Sequence, residues 1–145
     1  MTGSIEYDEQ RETKAMNASS EDMESFNPTW LTESCGDDQA AIRELIGLFV
    51  TQATGLWSEL TGAVAGSDWS TAARLAHKMA GSCGACGLPA LGYALRDFEK
   101  AVADDAALAT ERWPEVRRQV ARAANELNQR FEAGWNPETG GSGGG

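Results

Sequence analysis

The sequence is poor in positive charge and in long apolar runs, and both shortages limit the partners it can have. Twelve lysines and arginines stand against 22 aspartates and glutamates in 145 residues, which gives a formal net charge of −10. Nucleic acids and anionic membrane surfaces select for clusters of basic side chains, so this balance argues against both as partners. No apolar run approaches the ~20 residues that span a bilayer, and we expect no membrane insertion.

Cysteine and the common signatures of catalysis are scarce as well. The three cysteines, an odd number, do not indicate a disulfide framework. The amino terminus lacks the basic and apolar regions of a secretory signal, so a reducing cytoplasm is the expected location. The sequence shows neither a glycine-rich phosphate-binding loop nor a kinase nucleotide motif. We therefore expect no ATP-dependent kinase activity and no cofactor.

Two polar segments flank a central region with a regular pattern. Residues 1–27 carry seven acids against two bases and show no periodicity, which predicts a disordered acidic tail. Residues 134–145 end in glycine and serine, which predicts a second flexible tail. The region between them, residues 28–133, is long enough for one domain with its own core.

Apolar residues recur every three or four positions through that region, which predicts helices. The predicted helices run from Pro28 to Glu33, from Asp38 to Ala65, from an N-cap at Asp68 to about Gly84, from Pro89 onward, and from a start between Thr110 and Pro114. Proline is tolerated in a first turn, which is where Pro114 is placed. Amphipathic helices joined by short connections favour an all-α fold, an antiparallel four-helix bundle with a short extra N-terminal helix.

The single histidine, His77, falls on the polar side of the third long pattern. His77 lies about 140° from the centre of the apolar arc and shares its side of the helix with Arg74 and Gly81. Imidazole is a nucleophile near neutral pH, and Gly81 leaves bare surface one turn beyond it. A structural or plain surface histidine is the alternative. The apolar arc consists of Ala72, Leu75, Ala76, Met79, Cys83 and Cys86.

Two basic side chains stand near His77 in the sequence. Arg74 precedes it by three residues and Lys78 follows it directly. Positive charge at these positions suits a phosphoryl group, whose charge is close to −2. An ordinary solvated face is the alternative for both bases.

The segment around His77 resembles the histidine-containing phosphotransfer (HPt) domain, the relay module of multistep two-component signalling. The residues that match the family pattern are His77, Met79, Gly81, Ser82, Cys83, Cys86 and Gly87. The resemblance extends over residues 28–132, with residues 42–49 and 91–99 similar to the family's neighbouring helices. One position departs from the pattern, because the family usually has lysine where this chain has Ala80.

The resemblance implies a phosphorelay carrier. It would accept a phosphoryl group on His77 from the aspartate of a receiver domain and pass it to another response-regulator receiver. Receiver domains and a hybrid histidine kinase are the implied partners, and Mg²⁺ would belong to the receiver. Arg74 is the better substitute for the missing lysine. A low docking surface is predicted at Gly81, Ser82 and either Gly84 or Ala85, with Leu88 as a candidate apolar neighbour.

Two other functions remain open from the residues alone. One is a non-catalytic helical interaction module of the same fold. Ala80 leaves this alternative open because it replaces the lysine that the family usually has. The other is a redox or zinc site, because Cys83 and Cys86 have the CxxC spacing. Only Cys35 and His77 are left as further soft ligands, and His77 projects away from the pair. Since both cysteines fall on the apolar arc, we predict small core residues and no metal site.

Overall fold

The computed structural model describes residues 20–137, and every long element in them is an α-helix. The helices are α1 (Pro28–Cys35), α2 (Gln39–Ala65), α3 (Trp69–Cys86), α4 (Pro89–Asp104) and α5 (Ala106–Phe131). No β-strand occurs between residues 20 and 137. The all-α fold predicted from the apolar periodicity is confirmed.

Aspartate side chains fix the starts of the two helices that flank the α2–α3 connection. Asp38 Oδ1 accepts the Ala41 amide at 3.1 Å, and Asp68 Oδ1 accepts the Thr71 amide at 3.3 Å. Each bond satisfies an amide that the first turn of a helix leaves without an intrahelical acceptor. Asp68 is therefore the N-cap of α3, as predicted, and it sets the phase of the helix that carries His77.

Helices α2 to α5 form the four-helix bundle, and α1 packs against α2 and α3. Along the chain each helix packs on the next, whereas α2 and α5 approach one another less closely. Large aromatic side chains fill the wider space: Trp57 and Trp113 stack with their ring centroids 5.2 Å apart. Packed apolar side chains from all five helices form one continuous core, which holds α3 rigidly in the bundle.

The inward face of α3 is the one that the helical wheel predicts. All six residues of the predicted apolar arc are buried, with at most 2 % of their surface exposed. Ala80 joins them at 2 %, in the interface with α4. Because this arc is buried, the opposite side of α3 is left to solvent.

Helix α5 begins earlier than predicted. Its N-cap is Asp105, whose Oδ1 accepts the Ala107 amide at 3.3 Å, so Pro114 lies inside the helix rather than in its first turn. Proline removes the bond to the carbonyl four residues back, which belongs to Thr110. Both residues are exposed, and water can reach that carbonyl. The apolar residues before Pro114 pack well enough to extend the helix through it, with Ala109 fully buried.

The segment before α1 is not a free tail over residues 20–27. It forms a 3₁₀ turn at Ser20–Asp22 and two backbone hydrogen bonds, from the Asn27 amide to the Gly87 carbonyl at 2.7 Å and from the Ala90 amide to the Glu24 carbonyl at 3.1 Å. Phe26 is buried in the core. The predicted tail boundary at residue 27 is therefore wrong for these eight residues, and residues 1–19 lie outside the described part.

The predicted C-terminal tail is likewise too long at its start. Trp135 is 1 % exposed and packs edge-on against Phe49, with ring centroids 5.5 Å apart. Asn128 holds it through two hydrogen bonds, accepting from the Trp135 amide at 2.8 Å and donating to the Trp135 carbonyl at 2.9 Å. The domain thus includes residue 135, and residues 138–145 lie outside the described part. Among the described helices, none has the length and apolar character that a bilayer crossing needs.

Candidate functional site

His77 stands on the solvent side of α3, with 76 % of its side chain exposed. Its Nδ1 lies 3.1 Å from Oε1 of Glu99, which projects from α4 and is 35 % exposed. The outward direction predicted from the wheel is confirmed. The sequence did not single out Glu99, because its meeting with His77 depends on how α3 and α4 pack side by side.

The contact with Glu99 determines which ring nitrogen of His77 is free. An ionised carboxylate only accepts hydrogen bonds, so Nδ1 must carry the proton that Glu99 receives. In a neutral imidazole the other nitrogen, Nε2, then holds a lone pair. Nε2 forms no hydrogen bond within residues 20–137, and the ring is largely exposed. The arrangement presents a nucleophilic nitrogen to an approaching molecule.

The surface beyond His77 on α3 is low and open. Gly81 and Gly84 are exposed, and a Cβ added to either would meet no heavy atom within 4 Å apart from the backbone of its own helix. Glycine in a helix interior costs roughly 0.5–1 kcal/mol relative to alanine. Nothing in the packing of the bundle requires this cost at either position. Both positions leave the surface next to His77 low enough for close approach by another molecule.

Ser82 connects this surface to α2. Its Oγ donates to Oε1 of Gln52 at 2.9 Å. Leu48, one turn before Gln52 on α2, is 64 % exposed, which is unusual for a large apolar side chain. We refer to Leu48, Gln52, Gly81, Ser82 and Gly84 as the α2–α3 face. The contact observed across this face joins Ser82, one of the predicted docking residues, to Gln52, which the sequence did not indicate.

The two predicted cations are both exposed. Arg74 and Lys78 form no ion pair or hydrogen bond with the residues that the structure describes. Arg74 lies three residues before His77 on the same side of the helix, while Lys78 is turned about 100° away. Their positive charges are therefore not neutralised by a neighbouring carboxylate in residues 20–137.

Leu88 is not part of this surface. It is fully buried, at 0 % exposure, and precedes α4 as a core residue. The prediction of an apolar docking neighbour at Leu88 is therefore wrong. Among the described residues, the large apolar side chain that is exposed is Leu48 of α2.

The CxxC cysteines lie in the core. Cys83 is 0 % exposed and Cys86 is 2 % exposed. Burial, together with the nearby Cys35, raises the pKa of Cys86 to about 11, and burial raises the pKa of Cys83 still further. Thiolates are the reactive and metal-binding form of cysteine, and these thiols stay protonated near neutral pH. No group of three or more His, Cys, Asp and Glu residues within the described part is arranged to hold a metal ion.

Comparison with known protein families agrees with this geometry. The family model described as the Hpt domain matches residues 44–132, which include all of α3, α4 and α5 and most of α2. The chain belongs to the Hpt domain family. Hpt domains are histidine carriers of phosphorelays rather than kinases, and they interact with receiver domains. Comparison with curated proteins and with solved structures found no significant match.

Proposed function

We propose that this Hpt domain accepts a phosphoryl group on Nε2 of His77 from the phosphoaspartate of a receiver domain and passes it to a second response-regulator receiver. The observation that carries the proposal is the pairing of His77 with Glu99. It leaves Nε2 as the free nucleophile on a side chain that is 76 % exposed. The membership of residues 44–132 in the family supports the same role.

The transfer step is a displacement at phosphorus. The Nε2 lone pair attacks in line with the bond to the aspartate oxygen, and the N–P bond forms as the P–O bond breaks. The aspartate leaves as a carboxylate. The imidazole keeps its Nδ1 proton and becomes positively charged, and the Glu99 carboxylate at 3.1 Å faces that charge. Onward transfer is the reverse reaction with a second receiver aspartate.

The bundle contributes to this reaction mainly by positioning. Helix α3 is fixed by its buried arc, so His77 is held at a constant height above the surface. The α2–α3 face offers the receiver a low, partly apolar surface beside the imidazole, on which Gly81 and Gly84 allow close approach. We assign this docking role to Gly81, Ser82 and Gly84.

The basic residues of α3 add an electrostatic contribution. Arg74 and Lys78 are exposed cations in a chain whose net charge is −10. Both are proposed to attract the dianionic phosphoryl group or the acidic site of a phosphorylated receiver. Mg²⁺ and the catalytic carboxylates of the reaction are assigned to the receiver. A cytoplasmic location and a hybrid histidine kinase upstream complete the proposal.

Phosphate transfer from a labelled receiver tests the assignment. Receiver domains phosphorylated with acetyl phosphate are mixed with the wild-type chain and with His77→Gln. The wild-type chain is expected to gain a phosphoryl group that is labile in acid and stable in base, and His77→Gln is expected to gain none.

Circular dichroism is the control, since an exposed side chain can be replaced without unfolding the bundle. Equal labelling of the two chains would refute His77 as the acceptor. A wild-type chain that binds receivers but gains no phosphate would instead be a non-catalytic interaction module.

A further inference from the structure

A short row of residues on one face of α4 lies beside the face of α3 that carries His77. At one end of the row, a Cβ added to Gly92 would lie 3.5 Å from Cys83 Cβ and 3.8 Å from the Ala80 carbonyl oxygen. At the other end, Oε1 of Glu99 accepts the hydrogen bond from Nδ1 of His77. Arg96 stands four residues after Gly92 and three before Glu99, so helical geometry places it in the same row, between the two contacts.

The level of Arg96 along α3 follows from these contacts. Because Glu99 is opposite His77 and Gly92 is opposite Cys83, Arg96 falls opposite the turn that contains Gly81. The rise from Arg96 to Glu99 along α4 is about 4.5 Å, which an extended arginine side chain can cover. Gly81 has no side chain to block the path from α4 to the imidazole.

The charge of Arg96 acts on α3. Its positive charge lowers the pKa of the Cys83 thiol, against the larger raising effect of burial, so the guanidinium lies near the part of α3 that follows His77. Arg96 is exposed and forms no hydrogen bond or ion pair with other residues of the described part. Its guanidinium donors are thus available to a group that arrives at the surface.

A cation near His77 would stabilise the phosphorylated form of the ring. A phosphoryl group with a charge near −2 would stand close to the Glu99 carboxylate, in a chain that already carries −10. Guanidinium groups bind phosphoryl oxygens with two parallel hydrogen bonds, a geometry that lysine cannot provide. On α3 itself the turn after His77 holds only Ala80 and Gly81 at the positions nearest the ring.

We propose that Arg96 is the residue that binds the phosphoryl group on His77, reaching it from α4 across the bare backbone of Gly81. This inference rests on the proposed function. It makes α4 the source of both side chains that contact the modified histidine. Glu99 binds the ring at Nδ1, and Arg96 binds the phosphoryl oxygens at Nε2.

The test uses phosphoramidate, a small phosphoryl donor that needs no receiver. The Nε2 lone pair attacks its phosphorus, the N–P bond to the ring forms, and the donor's own P–N bond breaks with release of ammonia. The initial rate of His77 phosphorylation is measured by mass spectrometry for the wild-type chain, Arg96→Gln, Arg96→Lys and Arg74→Gln. Arg117→Gln, which removes one exposed charge from α5, is the matched control.

We expect Arg96→Gln to lower the rate about fivefold, as for a partly exposed ion pair, and Arg96→Lys to restore part of it. The Arg117→Gln chain should match the wild type. The difference between wild type and Arg96→Gln should shrink when NaCl is raised from about 50 mM to about 500 mM, because salt screens an exposed pair. A purely structural role of Arg96 would not produce this salt dependence.

Equal rates in Arg96→Gln and Arg117→Gln would overturn the inference, and so would a larger loss in Arg74→Gln than in Arg96→Gln. Neither result would affect His77 as the acceptor. If the wild-type chain gains no phosphate from phosphoramidate or from any phosphorylated receiver, the proposed function fails and the inference fails with it.

Discussion

Glu99 gives His77 a fixed orientation and a fixed tautomer. The 3.1 Å bond uses the Nδ1 proton, so the lone pair of the neutral ring stays on Nε2, away from the bundle. Without the carboxylate, an imidazole with 76 % of its surface exposed would exchange freely between tautomers and rotamers. Glu99 is therefore a positioning residue, acting through the ring that it holds.

Replacing Glu99 by alanine should shift the equilibrium between the two neutral tautomers of His77. A hydrogen bond of this kind contributes about 0.5–1.5 kcal/mol, so the ratio of the two neutral tautomers should change by about two- to tenfold toward Nε2–H. The measurement is the ¹⁵N chemical shift of the two His77 ring nitrogens. Glu99→Gln, which keeps an acceptor oxygen, should stay closer to the wild type. Identical ring shifts in Glu99→Ala and wild type would show that Glu99 does not select the tautomer.

The buried thiol of Cys86 should make the fold sensitive to alkali. Its pKa is raised from 9.0 to about 11, so between these values the unfolded chain loses a proton that the folded chain keeps. The contribution of Cys86 to stability is complete below pH 9 and declines by about 1.4 kcal/mol per pH unit above it. Urea unfolding in the presence of a reductant, compared between wild type and Cys86→Ala from pH 8 to 11, should show the difference falling with pH. A constant difference would contradict a buried, neutral thiol.

At the scale of the helix, α3 carries two faces with different requirements. Its inner face packs in the core, and every residue of the apolar arc is buried. Its outer face has glycine at two positions where a methyl group would fit, so helix stability is lower than the bundle permits. Such a local conflict between propensity and fold is expected where function, rather than packing, selects the residue.

Substitution of Gly81 should separate stability from docking. Gly81→Ala should raise the free energy of unfolding by about 0.5–1 kcal/mol, because the added methyl group meets no neighbour and helix propensity improves. Gly81→Glu should block transfer from a receiver by bulk and charge. Phosphoramidate should still modify His77, but more slowly, because the new side chain lies in the proposed path of Arg96. Urea unfolding and the two transfer assays measure these effects. Normal receiver transfer in Gly81→Glu would remove Gly81 from the docking surface.

The sequence predicts the parts of the helices that are governed by periodicity and caps. Asp68 caps α3 as predicted, one of the two adjacent aspartates before α2 caps that helix, and the buried arc of α3 follows from its apolar spacing. The start of α5 does not follow, because the rule for Pro114 describes where proline is tolerated best and not where tertiary packing can accommodate it. Local rules therefore identify the elements better than their ends.

Contacts between elements are the part that a single sequence does not reveal. Glu99 is an ordinary polar residue of α4 in the sequence, and only the side-by-side register of α3 and α4 brings it to His77. Trp135 is similar, since it stands among glycine, asparagine and proline, a composition typical of a linker. Its burial depends on Phe49 in α2, 86 residues earlier in the chain.

At the scale of the whole molecule, the segments outside the helices close one end of the bundle. Phe26 packs edge-on against Phe131 at 5.7 Å, beneath the guanidinium of Arg130 at 5.2 Å, and Trp135 covers Phe49. Phe26 and Trp135 thus both pack near the C-terminal end of α5. Residues 20–23 lie farther back along the same helix, where the Arg122 guanidinium donates to the carbonyls of Ser20 and Met23. The domain extends beyond the helical pattern on both sides, and its core depends on these flanking aromatic residues.

A truncation at the boundary that composition suggests should therefore destabilise the bundle. A chain that ends at Ala133 loses the buried Trp135 and the two Asn128 bonds, whereas a chain that ends at Pro137 keeps both. Removing a buried tryptophan costs about 3–5 kcal/mol, so we expect a difference of at least ~3 kcal/mol in the free energy of unfolding. Urea unfolding of the two truncated chains measures it, and Trp135→Ala in the full chain should reproduce the loss. If the two truncated chains had equal free energies of unfolding, the packing of Trp135 on Phe49 would make no net contribution to stability. The domain would then end with α5.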